Sequence, residues 1–119
     1  MHFHHPPYDH EKIVFCTAGN IIDVALDLRK HSSTYGECFA TELSSENNKA
    51  LYIPKGCAHG FLTLSGNAST FYFVSGEYQK EADDGILFSS IDFDWQVAKP
   101  LVSERDLSFV SLAHFNSPF

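Results

Sequence analysis

The side chains able to do chemistry are unevenly spread along these 119 residues. Four of the seven histidines, His2, His4, His5 and His10, fall within the first ten positions. Lys12 follows them at once, and Asp23 comes eleven residues later. His59 stands alone inside Ile53-Pro54-Lys55-Gly56-Cys57-Ala58-His59-Gly60-Phe61, where an apolar run stops at a proline and turns at a glycine. Tyr72 is embedded in Thr70-Phe71-Tyr72-Phe73-Val74, Tyr78 lies just beyond, and Asp106 closes the set. Imidazoles, an ammonium, carboxylates and phenols supply a base, a cation, an orienting acid and a proton donor. That is a working set for proton transfer beside a carbonyl.

Each of these residues also has a plainer reading. His59 could be a packed histidine at a surface turn. Lys12 and Asp23 could be a surface cross-strand ion pair, as could Asp27 and Arg29, and such pairs stabilise little. Tyr72 could be a core aromatic with its hydroxyl tied to a carbonyl, and Asp106 a helix-capping acid.

Many short strands must position these groups. Lys12 to Cys16 and Ile21 to Arg29 read as strands joined by a hairpin at Thr17-Ala18-Gly19-Asn20. In the second, Ile22, Val24, Leu26 and Leu28 alternate with Asp23, Ala25, Asp27 and Arg29, which predicts one apolar and one polar face. Cys38 to Leu43, Ala50 to Ile53, Gly60 to Leu64 and Thr70 to Ser75 are further strands. The Pro54–Gly56 segment predicts a strand–turn–strand corner that presents His59 at a barrel mouth, with Gly60 leaving room beside it. Glu77 to Asp84 reads as a polar loop. Ser103 is expected to cap a short helical turn with Asp106 at its third position. No long 3.6-residue periodicity occurs. The expected fold is all-β, a barrel or sandwich whose inward face lines a ligand cavity.

Composition bounds the partners. Residues 1–119 fit a single domain, and 44% hydrophobic residues is a globular composition. A net charge of −7 argues against nucleic acid, which needs clustered Lys and Arg. No apolar run is long enough to span a membrane, and no signal-peptide pattern opens the chain. Cys16, Cys38 and Cys57 are odd in number and form no Cys-x-x-Cys, which suits a reducing cytoplasm.

Five segments in order resemble the dTDP-4-dehydrorhamnose 3,5-epimerase family of cupin-fold nucleotide-sugar epimerases. Met1-His2-Phe3-His4-His5-Pro6-Pro7 is similar to its Arg-Gly-(Leu/Met)-His-(Phe/Tyr)-Gln segment, entered at the third position. Lys12-Ile13-Val14 is similar to its Lys-Leu-Val strand. Asp23 to Arg29 with Ser32-Ser33-Thr34-Tyr35-Gly36 resembles its Asp-Val-x-x-Asp-Leu-Arg…Ser-x-Thr-Tyr-Gly block. Ile53 to Phe61 is nearly its Ile-Pro-x-Gly-x-Ala-His-Gly-Phe signature, and Ser103-Glu104-Arg105-Asp106 resembles its Ser-x-x-Asp. His4 stands where the family usually has Gln, and Phe88-Ser89-Ser90 where a Trp-(Asn/Asp)-x segment is common. The first five residues, which could pass for a tag, thus read as native.

The resemblance implies a cupin-type β-barrel or jelly roll with a short C-terminal helical turn. It implies epimerisation at C3, C5 or both of a nucleotide-linked 4-keto-6-deoxyhexose, in rhamnose and O-antigen (lipopolysaccharide) biosynthesis. It makes His2 the general base, Asp106 its orienting partner, Lys12 the cation at the C4 oxygen and Tyr72 the acid on the opposite face. His59 and Asp23 fall in the polar network around that oxygen, with Tyr78 near the nucleotide and Arg29 as a further substrate-binding candidate. It implies no cofactor and no metal, a dTDP-linked sugar as ligand, a homodimer, and neither nucleic acid nor membrane as partner. Family members carry several tens of residues before this point, including an arginine that holds phosphate, so a truncated homologue is expected, with a base poorly fixed at the second residue. Two alternatives stand beside it. One is a metal-binding cupin using His2, His4, Asp9 and His59. The other is a sugar-nucleotide-binding relic that has lost the reaction.

Overall fold

The hydrophobic pattern divides into two sets of strands, and each set forms a sheet. The computed structural model describes residues 1–119. In chain order the strands are β1 (His2–His4), β2 (Lys12–Ala18), β3 (Asn20–Asp27), β4 (Cys38–Ser44), β5 (Ala50–Ile53), β6 (Cys57–Thr63), β7 (Ser69–Val74) and β8 (Asp83–Gly85). A five-stranded sheet runs β4-β3-β6-β1-β8 and a three-stranded sheet β5-β2-β7, with every pairing antiparallel. Only the β3–β4 connection stays within one sheet, and every other link crosses to the facing sheet. This is a jelly-roll sandwich.

That topology corrects the expected hairpin. β2 and β3 follow each other but never pair, because the chain changes sheets at Gly19, which sits at φ 69°. The corner at Lys55-Gly56 does form, with Gly56 at φ 80° and β5 and β6 in different sheets. β6 resumes at Cys57, three residues earlier than the sequence suggested, so His59 is a strand residue and not a turn residue. The space beside Gly60 is already taken. A Cβ there would lie 2.8 Å from the Met1 sulfur.

The polar face of β3 is not a solvated face. Val24, Leu26 and Leu28 are fully buried against Phe3, Ala58 and Ile86, under a cover that includes Trp95, Phe115 and Phe119 from the C-terminal segment. The alternate residues point between the two sheets, where Ile21 joins Val14, Cys16, Leu43 and Ile53 in a second core. Asp23 and Asp27, on that same inner face, are 0% and 6% exposed. Fully burying each such aliphatic side chain contributes roughly 1.5–3 kcal/mol, so both faces of β3 hold the sandwich together.

The first residues are also better fixed than expected. β1 lies inside the five-stranded sheet, with His2 opposite His59 on β6 and opposite Gly85 on β8. Met1 and Phe3, flanking His2, are 4% and 2% exposed on the outer face. Strand alternation therefore sends His2 and His4 inward. Part of the supposed loop at Glu77–Asp84 is the edge strand β8. No helix is long and apolar enough to cross a membrane.

Candidate active site

The inner faces of both sheets open into one cleft of about 460 Å³. β1 contributes His2 and His4, β6 His59, β2 Lys12, β7 Tyr72 and β8 Asp83. The register explains the convergence. Lys12 pairs with Val74 and Val14 with Tyr72, so Lys12 and Tyr72 share the inner face of the small sheet. His2 and His59 face them from the large one.

His2 is held by a carboxylate from outside the sheets. Its Nε2 lies 2.9 Å from Asp106 Oδ1. Asp106 sits on the one-turn helix α1 (Glu104–Leu107), whose Ser103 cap accepts a hydrogen bond from the Asp106 amide at 3.1 Å. The expected cap thus fixes the residue whose carboxylate lies against the imidazole. A second acid, Asp83, lies 3.8 Å from His2 Nδ1. The Phe109 ring meets the imidazole edge-on at 5.2 Å.

Asp83 was hidden in the segment read as a loop. Its carboxylate accepts from Arg105 Nη2 at 2.9 Å and from the Tyr78 hydroxyl at 3.2 Å. Burial alone pushes the Asp83 carboxyl up, but Arg105, the Tyr78 hydroxyl and the charge of His2 together outweigh it and hold the group below its ordinary value. Nothing in the sequence singled it out. An acid placed to pair across from His4 on an edge strand becomes visible once β8 is known.

Deeper in the cleft, His59 Nε2 donates to Asp23 Oδ1 at 2.5 Å, with both side chains buried. The second oxygen, Asp23 Oδ2, is buried without a hydrogen-bond partner. Burial pushes the Lys12 ammonium below its usual value, and the nearby charges of Asp83 and Asp23 draw it partly back. A desolvated ammonium that makes no ion pair of its own within the cleft is suited to an oxyanion that arrives with the ligand.

Tyr72 and Tyr78 line the cleft and are 61% and 64% exposed, so Tyr72 is not the tied-down core aromatic of the plainer reading. Arg29 lies elsewhere. Its guanidinium clasps Asp27 through Nε at 2.9 Å and Nη2 at 2.7 Å, and its side chain packs over Gly56. The substrate-binding expectation for Arg29 meets this obstacle: the residue closes the β5–β6 corner and does not line the cleft. For a metal, no three His, Cys, Asp or Glu side chains converge as ligands. His2 and His59 are instead each committed to a carboxylate.

Residues 1–114 match the family model described as dTDP-4-dehydrorhamnose 3,5-epimerase. The enzyme of that name from Shigella flexneri is 41% identical over 120 residues, covering 97% of this chain and 66% of its own length. The crystal structure of the Elizabethkingia anophelis enzyme superposes with a TM-score of 0.91 at 34% identity, over 94% of this chain and 63% of that one. The Legionella pneumophila dTDP-6-deoxy-D-glucose-3,5-epimerase, solved with dTDP-4-keto-L-rhamnose, gives a TM-score of 0.90 at 31% identity, over 97% and 62%. The chain spans just under two thirds of the length of these curated relatives. From the first strand to the short helix that carries Asp106, this cupin-like jelly roll belongs to the dTDP-4-dehydrorhamnose 3,5-epimerase family.

Proposed function

We propose that residues 1–119 act as one epimerase domain on a dTDP-linked 4-keto-6-deoxyhexose, inverting C3, C5 or both. The observation that carries this reading is the placement of His2 on one sheet and Tyr72 on the other, with Lys12 in the same cleft. Inversion needs a base on one face of the carbon and an acid on the other, each contributing roughly 10²–10⁴ in rate.

His2, held by Asp106, removes the proton beside the ketone. The electron pair moves into the enolate, and Lys12 stabilises the charge on the C4 oxygen, with His59 and Asp23 in the polar network around it. Tyr72 then returns a proton to the opposite face, and its phenolate is neutralised from solvent through the open cleft. Tyr78 contacts the ligand nearer the nucleotide. Protons enter and leave without net oxidation, so the residues present account for the chemistry. The name of the Legionella complex supports the sugar and the dTDP group together.

A homodimer is part of the same reading. The outer face of the small sheet exposes Ile13, Tyr52, Phe71 and Phe73, with Phe15 stacked 6.0 Å from Phe71, an apolar surface of the kind a partner covers. Three free cysteines are in keeping with a cytoplasmic setting. Light scattering at micromolar concentration tests the dimer, and a monomer counts against it.

The chemistry is tested by incubating the chain with dTDP-4-keto-6-deoxyglucose in D₂O and following C3 and C5 by NMR. Deuterium is expected at one or both carbons, and His2→Ala is expected to slow its entry by roughly 10²–10⁴. A folded chain that binds the nucleotide sugar but exchanges nothing would leave a binding module in place of an enzyme.

A further inference from the structure

We propose that His4 and His10 form a pair that grips a hydroxyl of the ligand's sugar ring through their ring nitrogens, and so help to set which sugars the cleft accepts. This rests on the sugar-nucleotide reading above and adds a specificity determinant to it.

His4 is the least explained polar group in the molecule. It is 9% exposed, it lines the cleft, and neither Nδ1 nor Nε2 has a hydrogen-bond partner in the protein. Two buried nitrogens without partners are costly to fold around. The cost is tolerable where a ligand supplies the missing bonds. His10 lies against it, with ring centroids 4.5 Å apart, and also lines the cleft.

The hydrogen-bond partners fix what this pair offers. His10 Nδ1 is 3.2 Å from the Tyr8 carbonyl oxygen, which only accepts, so Nδ1 carries the hydrogen. In the neutral ring Nε2 is then a bare acceptor. Burial, the other imidazole and Lys12 all push the His4 proton affinity down, against only Asp83. Burial and Lys12 do the same at His10, against the Tyr8 carbonyl and Asp9. Two neutral rings favour an uncharged group over a phosphate. A neutral His4 has one N–H to donate, and His10 Nε2 can accept. A hydroxyl does both, so it satisfies the two rings at once.

Position agrees with a sugar. His2 and His4 point the same way from β1, two residues and roughly 6.6 Å apart along the strand. A hexose ring with one reacting carbon at His2 can place a hydroxyl within reach of His4. Tyr78 stands edge-on to His4 at 5.5 Å and walls that end of the cleft.

The experiment is calorimetric titration with three unreactive ligands: dTDP-6-deoxyglucose, its 2-deoxy form and its 3-deoxy form. Wild-type protein is expected to bind the parent roughly 10- to 100-fold tighter than one of the two deoxy ligands, the loss expected for a buried polar pair left unsatisfied. His4→Leu should bind parent and deoxy forms alike. His4→Gln, whose amide both donates and accepts, should keep most of the discrimination, and His10→Phe should lose it from the other side. Equal Kd values for all three ligands in wild type overturn the proposal, as does full discrimination in a folded His4→Leu. Failure of the epimerase reading looks different. A folded wild type that binds none of the three takes this proposal down with it. A wild type that binds and exchanges deuterium but ignores the missing hydroxyls sinks the histidine pair alone.

Discussion

Asp23 and Asp27 sit four residues apart on β3, on the same inner face, and both are buried. Their surroundings are opposite. Asp27 accepts from the Arg29 amide, from the Arg29 guanidinium at both oxygens, and from Thr34 at 2.7 Å. Asp23 accepts from His59 alone and leaves one oxygen without a partner. A saturated carboxylate holds structure together. An unsaturated one beside a desolvated lysine stores interaction capacity that only a ligand or a reacting atom can take up. The same residue type on one strand thus serves two ends, and the hydrogen-bond count separates them.

The largest effect should come from breaking the unsaturated member. Asp23→Asn keeps the shape and leaves His59 an oxygen to donate to, but removes the charge that orders the imidazole and lies near Lys12. Loss of one preorganised group at a developing oxyanion costs roughly 10²–10³ in rate. We therefore expect kcat for deuterium exchange to fall by about that factor. Tm should change little, because loss of an incompletely paired buried charge offsets the weaker support left for the buried Lys12 ammonium. A variant that loses several degrees of Tm and keeps its rate would reverse the assignment.

Breaking the saturated member should do the converse. Asp27→Ala strands the Arg29 guanidinium and the Thr34 hydroxyl at the corner around Gly56. A stability loss of about 2–3 kcal/mol is expected in urea unfolding, with kcat nearly unchanged in the folded fraction. The pH dependence has a definite sign. The Arg29 hydrogen bonds, against burial, hold the Asp27 carboxyl well below its ordinary value. Its contribution is therefore complete above the unfolded carboxylate value of about 3.9 and fades as pH falls towards the depressed folded value. Wild type should lose stability across that acid range more steeply than Asp27→Asn does.

Much of this comparison was legible in the sequence, and the missing parts have physical causes. Alternation along β3 marked Asp23 and Asp27 as sharing a face, because a strand turns every second side chain the same way. It could not tell that face from a solvated one, since burial depends on a second sheet that the local pattern does not encode. The turn at Gly19 was visible, but a turn residue does not say whether the next strand pairs or crosses to the facing sheet. His2, His59, Lys12 and Tyr72 were identified by type and by family resemblance, and the fold brings all four to one cleft. Asp83 escaped because β8 is only three residues long, too short to show a period. For Arg29 the motif suggested a ligand, while the plainer reading of an ion pair with Asp27, two residues back in the chain, is the one the fold forms.

The smallest effect is the one that sharpens the role of Lys12 between the acids. Burial holds its ammonium below the ordinary lysine value. If the charged form stabilises the enolate, kcat/KM must fall as pH rises through that depressed value, on the acid side of about 10.4. Stability must move the other way over the same window. Between the folded and unfolded values the unfolded chain binds more protons, so raising pH favours the folded state. An arginine stays charged throughout. Lys12→Arg should therefore cost roughly tenfold in kcat/KM at neutral pH, from the altered shape of the donor, yet shift the alkaline fall to higher pH or abolish it. It should also flatten the alkaline rise in stability. An alkaline limb left where it was in a folded Lys12→Arg would assign that limb to another group, with Tyr72 the next to test by Tyr72→Phe.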